Sequence, residues 1–155
     1  GLRLLFAETG PGVLILAATN VPWAVDAAFR RPGRFDRVLF VPPPDAAARA
    51  SILAGRLAGI PGGTGIDVAR VAEKTGGYSG ADLGNLVETA SDMAIETSLA
   101  TGEPGALQGA HIDKALKEVK PTTVEWLTTA RNYAKYSNAG GQYDEVVEFL
   151  DKHGR

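Results

Sequence analysis

The sequence predicts an α/β segment that is mostly helix: two short strands followed by a helical bundle. Three observations predict it. Val13-Leu14-Ile15-Leu16-Ala17-Ala18-Thr19 is a continuous apolar run set between Gly10-Pro11-Gly12 and Asn20-Val21-Pro22. A second run, Arg37 to Val41, stops at Pro42-Pro43-Pro44, where three missing N–H donors forbid further pairing. From residue 45 onward the apolar positions recur at helical spacing, and glycines and prolines fall between the periodic segments.

Each element follows in order. Leu2 to Glu8 is long enough for only two turns of helix and reads as a stub. Residues 13–19 are apolar on both faces, the pattern of a buried strand in a parallel sheet. Asp45 can cap a helix reaching about Leu57, with Ala48, Ile52 and Leu53 on one face. Gly59-Ile60-Pro61-Gly62-Gly63-Thr64-Gly65 is a loop, and Asp67 caps a short helix ending at Gly76-Gly77. Ser79-Gly80-Ala81-Asp82 has the form of a capping box and opens the longest helix, running to about Leu99. Leu83, Leu86, Val87, Ala90, Ala94 and Ile95 form its apolar stripe. After the break at Gly102-Glu103-Pro104-Gly105, helices are expected near 110–119, 124–137 and 143–152, separated by Pro121 and Gly140-Gly141. Two buried strands cannot complete a sheet. Further strands are therefore expected upstream or from a partner chain.

Composition narrows the function. The 155 residues suit one domain, and 45% apolar with 22% charged residues is a globular balance. Lys and Arg number 16 against 18 Asp and Glu, a net charge of −2, which argues against coating nucleic acid. With no cysteine, disulfides, thiolate zinc sites and cysteine nucleophiles are excluded. Two histidines, His111 and His153, are too few and too separated for a histidine metal centre, so no metal ligands are assigned. No apolar run is long enough to span a membrane and no secretory pattern opens the chain, so a cytoplasmic protein is expected.

Three local features could carry chemistry. In Arg30-Arg31-Pro32-Gly33-Arg34-Phe35-Asp36-Arg37 the Pro-Gly turn projects arginines from a tight loop. Guanidinium forks suit phosphate oxygens; a solvated loop whose arginines pair with Asp26 and Asp36 explains the cluster as well. Asn20 follows the apolar strand, where α/β sheets bind ligands, or is simply a turn residue before Pro22. Ser79-Gly80-Ala81-Asp82 offers amide donors at a helix N-terminus with nothing bulky in the way, or is a plain cap. Trp126, Tyr133, Tyr136, Tyr143 and Phe149 read as a packing surface rather than a base-stacking platform. His111 reads as a surface residue.

Taken together and in this order, the run ending Ala18-Thr19-Asn20, then Asp26 to Asp36 with its Arg30-Arg31-Pro32-Gly33-Arg34 core, Pro44-Asp45, and Gly77-Tyr78-Ser79-Gly80-Ala81-Asp82-Leu83 resemble the C-terminal part of an AAA-family ATPase domain. The pattern is closest to the katanin and spastin group, whose last lid helix and V-x-P-[ST] stretch resemble the segment from Ile112 to Pro121. The resemblance implies residues 1–44 as the end of the nucleotide-binding α/β subdomain, 45–121 as a helical lid, and 122–155 as a C-terminal helical extension. It assigns Asn20 as sensor 1, beside the attacking water, and Arg31 and Arg34 as fingers reaching a neighbour's γ-phosphate. Gly80 and Ala81 fall on the lid turn over adenine and ribose, and Ile52 on an apolar base contact; Arg56 stands where many relatives carry His.

The resemblance also implies ATP and Mg²⁺ for a full-length parent, assembled with other copies of itself as a hexameric ring that remodels proteins. No G-x-x-x-x-G-K-[ST] loop and no apolar strand ending in Asp-Glu occurs in the sequence. The chain alone is therefore expected to be inactive and to hold no nucleotide tightly. The alternative is a short non-catalytic adaptor that donates its arginines to a catalytic partner.

Overall fold

The computed structural model describes residues 2–8, 12–31, 33–35, 37–136, 138, 141 and 143–153. The turns expected at Gly10-Pro11 and Gly140, the Pro32 half of the Pro32-Gly33 turn and the Asp36 pairing lie outside these residues. The described chain is mostly helical. Its strands are β1 (Leu2–Glu8), β2 (Leu14–Thr19) and β3 (Arg37–Val41). Its α-helices are α1 (Ala46–Leu57), α2 (Val68–Lys74), α3 (Gly80–Thr101), α4 (Gly109–Glu118), α5 (Thr123–Tyr136) and α6 (Asp144–His153). Contacts divide the chain into two units, residues 1–42 with 125–155, and residues 43–124. The C-terminal helices, expected as a separate extension, thus fall in the strand unit.

In the strand unit the α/β, mostly helical class holds, but the expected pair of parallel-type strands is corrected to three strands in the order β2-β1-β3. Leu2 to Glu8, expected as a helical stub, is the central strand and is antiparallel to both neighbours. The physical reason is connection length. Five residues, 9–13, separate β1 from β2, and so short a loop can join only antiparallel strands. Seven residues of helix would also have lacked the length to hold themselves. β2, expected to be buried, is an exposed edge strand, with Leu14 60% and Leu16 55% exposed.

The core of this unit is aromatic. Phe40 on β3 stacks on Trp126 of α5 at 5.8 Å and meets Phe149 of α6 edge-on at 5.7 Å. Trp23 stacks on Tyr133 at 5.1 Å and leans on Trp126 at 5.9 Å. Buried Ala130, Ala134, Tyr143, Val146 and Leu150 fill the space between the two helices. Glu145, in the first turn of α6, accepts the Phe40 N–H at 2.9 Å, which blunts the free edge of β3. The Trp126 indole N–H donates to the Asn20 carbonyl.

The second unit is a four-helix assembly with an aliphatic core. Leu53, Leu83, Leu86, Ala90, Ile112 and Ala115 are fully buried. The caps of α1, α2 and α3 are those the sequence predicts. Asp45 accepts the Ala48 N–H at 2.8 Å, Asp67 accepts the Arg70 N–H at 3.0 Å, and Ser79 and Asp82 form a reciprocal capping box.

Three expectations fail here. Ala48 is exposed, and Arg49 is buried in its place. The Arg49 Nε and Nη2 donate to the Ala72 carbonyl at 3.1 and 2.8 Å, and Nη1 to the Pro44 carbonyl at 2.8 Å. A guanidinium is well placed at the last carbonyls of α2, where the helix dipole is negative. His111, expected on the surface, is buried, and its Nδ1 accepts the Gln108 N–H at 3.1 Å in the first turn of α4. Ile95, expected in the apolar stripe of α3, faces solvent, because at 100° per residue it lies about 120° round the helix from Leu83 and about 140° from Ala90. At Gly62, φ of +80° and the Leu107 carbonyl against any Cβ leave room only for glycine.

Candidate functional site

The expected site residues divide between the two units. Asn20, Arg31 and Arg34 belong to the strand unit; Ile52, Gly80 and Ala81 belong to the helical one.

In the strand unit, β2 ends because the Thr19 Oγ1 accepts the Val21 N–H at 3.0 Å, turning the chain. Asn20 sits exposed on that turn, its carbonyl held by Trp126. The chain then runs through 3-10 turns at Pro22–Ala24 and Ala27–Arg30, the second capped by Asp26, whose carboxylate accepts the Ala28 N–H at 2.7 Å. The Arg34 N–H bonds the Arg31 carbonyl at 3.1 Å, and Gly33 has φ of +80°. Both are features of a type II turn, for which Pro-Gly is the favoured central pair. Arg31 and Arg34 are both exposed on it, and the Arg34 Nη1 donates back to the Ala28 carbonyl at 2.9 Å.

Strand register separates these residues. Asn20 follows Thr19, which pairs with Arg3 of β1, whereas the arginine turn precedes Arg37, which pairs with Phe6. They leave the sheet at opposite ends, three residues of β1 apart, which is about 10 Å of strand. The structure does not gather Asn20 with Arg31 and Arg34.

In the helical unit Ile52 and Gly80 do come together, and Ala81 is the residue that follows Gly80 in α3. A Cβ at Gly80 would lie 4.0 Å from the Ile52 Cδ1, and one at Gly84 would lie 3.4 Å from the Arg56 Cζ. Two residues four apart on α1 thus rest on two glycines four apart on α3. The Ile52 methyl group is left beside Gly80 at the α3 N-terminus, where the following Ala81 is exposed. This small apolar patch at a helix end suits the edge of a flat, uncharged ring.

The turn that carries Gly80 and Ala81 is anchored from below by Asp82. Its Oδ2 accepts the Ser79 N–H and hydroxyl, each at 2.8 Å, and its Oδ1 accepts the Thr122 hydroxyl at 2.9 Å. Burial pushes the Asp82 carboxyl up, but the Ser79 and Thr122 hydrogen bonds outweigh burial and hold it below the ordinary carboxylate value. The Tyr78 hydroxyl donates to the Val119 carbonyl and the Thr123 hydroxyl to the Gly77 carbonyl, so residues 119–123 are tied to residues 77–82. Burial first, and the Asp82 charge second, raise the Tyr78 hydroxyl.

Sequence reasoning missed Thr122 as a partner of the turn. Its signal was the position of Thr122 just after Pro121, in a stretch singled out only by resemblance. Among the described residues, no group of three or more His, Cys, Asp or Glu side chains gathers where it could hold a metal ion. No helix there is long and apolar enough to cross a membrane.

Within this four-helix unit, closed by a capped glycine turn, residues 65–105 match the AAA+ lid domain family. The chain carries the AAA+ lid, and the proteins it is similar to are AAA ATPases. It is 38% identical over 129 residues to cell division control protein 48 homolog B of Arabidopsis thaliana, covering 83% of this chain and 21% of that protein. It is 46% identical over 87 residues to the ATP-dependent zinc metalloprotease FtsH of Caulobacter vibrioides, covering 56% of this chain and 14% of that protein. A solved structure concerning katanin self-assembly superposes with a TM-score of 0.60 at 27% identity, over 70% of this chain and 44% of that one. The chain therefore spans about a fifth or less of the length of these two curated relatives.

Proposed function

We propose that this chain is the lid-bearing portion of an ATPase that works as a ring of identical copies and uses ATP hydrolysis to remodel proteins. In this reading Ile52, Gly80 and Ala81 meet the adenine and ribose of ATP, and Asp82 and Thr122 keep that turn in place. Asn20 orients the attacking water, and Arg31 and Arg34 reach across to the γ-phosphate held by a neighbouring copy. The observation that carries it is the seating of Ile52 against Gly80 at the α3 N-terminus, in a unit that matches the AAA+ lid. The departure of Asn20 and the arginine turn from opposite ends of the sheet supports their serving two different nucleotides.

The donor set fits one end of ATP only. An apolar methyl and bare backbone suit the base and sugar, whereas the sequence holds no phosphate-cradling glycine loop and the described residues gather no carboxylate cluster for Mg²⁺. In the full-length protein, ATP supplies the phosphoanhydride bond and residues outside this chain hold its phosphates and Mg²⁺. Arg31 and Arg34 present guanidinium forks from a turn fixed by Gly33, the geometry that suits phosphoryl oxygens.

The test is Arg34→Ala in the full-length protein, which is expected to lower ATP hydrolysis by about 10³-fold with ATP binding nearly unchanged. Binding and hydrolysis falling together would reject the reach across to a neighbour. Titration calorimetry of this chain with ATP and Mg²⁺ is expected to show no tight binding. Tight, magnesium-dependent binding would mean a phosphate site within these 155 residues.

A further inference from the structure

The outward stripe of α3 is unlike that of an ordinary surface helix. Ala81, Asn85, Glu88, Asp92, Ile95 and Leu99 are all exposed, and successive members are three or four residues apart, so they lie on one face. The opposite face carries the buried Leu83, Leu86, Val87, Ala90 and Ala94. A solvent stripe on such a helix ends in polar groups; this one ends in Ile95, 57% exposed, and Leu99, 79% exposed. Leu99 is the most exposed of the large hydrophobic side chains described. The same helix has four acids (Asp82, Glu88, Asp92, Glu96) and no Lys or Arg in its 22 residues. Glu88, Asp92 and Glu96 are exposed on or beside the stripe, and Glu103 lies exposed just past its end.

We propose that this stripe is a docking surface for a cationic amphipathic helix of another protein, whose apolar residues cover Ile95 and Leu99 and whose Lys or Arg residues meet Glu88, Asp92 and Glu96. The sign of the charge selects the occupant. Anionic lipid and nucleic acid are repelled, and a second copy meeting this face with the same face would set acid against acid. An uncharged apolar partner would leave three carboxylates facing nothing. From Glu88 to Leu99 is eleven residues, about 16 Å, the length of three helical turns, which matches the helix-in-groove mode of recognition.

The experiment uses the whole chain and a fluorescent helical peptide of about 18 residues, with leucines on one stripe and lysines on both flanks. Its control is the same peptide with every lysine replaced by glutamate. Anisotropy is expected to show binding of the cationic peptide alone, weakened at high salt. The pair Ile95→Ser with Leu99→Ser, and separately the triple Glu88→Gln, Asp92→Asn, Glu96→Gln, should each weaken binding about tenfold. The charge variant should also lose the salt dependence. In the unsubstituted chain, amide shift changes on adding peptide should centre on residues 85–99. Absence of binding, equal binding by both variants, or shifts centred elsewhere would each overturn the proposal. So would a light-scattering dimer that Leu99→Ser converts to monomer, since the occupant would then be a second copy.

Discussion

The lid unit and the strand unit solve the same problem with different materials. In the lid, aliphatic side chains from four helices meet at full burial, and caps and the buried Arg49 satisfy the helix ends. In the strand unit, a three-stranded sheet is gripped on the β3 side by aromatic rings from α5 and α6, while β2 leaves Leu14, Ile15 and Leu16 exposed. Close-packed aliphatic cores resist change at every methyl group. An edge strand with apolar groups in water has little to lose when one is removed. The rigid packing thus sits in the lid, while Arg31 and Arg34 are exposed on a turn of the strand unit.

The comparison is broken most easily in the lid. Leu86→Ala, at a site with no exposure, is expected to cost about 3 kcal/mol, read as a lower urea midpoint. A loss below about 1 kcal/mol would mean that the lid core repacks freely.

Next is Asp82→Asn, which loses acceptor capacity under the glycine turn and is expected to cost about 2 kcal/mol at neutral pH. Its pH signature is separate. The Asp82 carboxyl is held below its unfolded value, so its contribution is complete above that value, about 4, and disappears as pH falls through the lower folded value. Thermal melting between pH 7 and 2 should therefore fall less steeply for Asp82→Asn than for the parent chain. Asp113, which Arg70 and Lys74 also hold low by hydrogen bonding, keeps its own share of the acid limb in both.

In the strand unit, Trp126→Phe keeps a ring on Phe40 but removes the N–H given to the Asn20 carbonyl. A loss of about 1 kcal/mol is expected, together with a changed amide signal at Val21. The smallest effect should be at the exposed edge: Leu16→Ser is expected to shift stability by less than about 0.5 kcal/mol. If Leu16→Ser proved as costly as Leu86→Ala, β2 would be buried in solution and the contrast between the units would collapse.

Much of the lid was legible in the sequence because its signals are local. Asp45, Asp67 and Ser79 with Asp82 mark helix starts through bonds that span three residues, and the α3 stripe from Leu83 to Ala94 follows helical period. Ile95 was expected on the stripe because it is apolar, although the helical period itself turns it away from Leu83 and Ala90. Arg49 and His111 were illegible for a different reason. Burial of a polar side chain depends on a partner elsewhere, the Ala72 carbonyl for one and the Gln108 N–H for the other. For β1, the clue was available in the five-residue loop to β2, since length alone dictates antiparallel pairing.

The site residues were named from motif order, and their placement came from the fold. By itself the sequence determined the helix caps, the Pro32-Gly33 turn propensity, the apolar run of β2 and the resemblance to AAA ATPases, all carried by short spans of residues. Only the tertiary structure decided that Leu2–Glu8 is the central strand, that α5 and α6 close over β3, and that Thr122 anchors the Asp82 turn. Local preferences are set by neighbours within a few residues. Pairing, burial and long-range hydrogen bonds are instead set by which distant segments supply a complementary surface, as Thr122 does for Asp82 across 40 residues of chain.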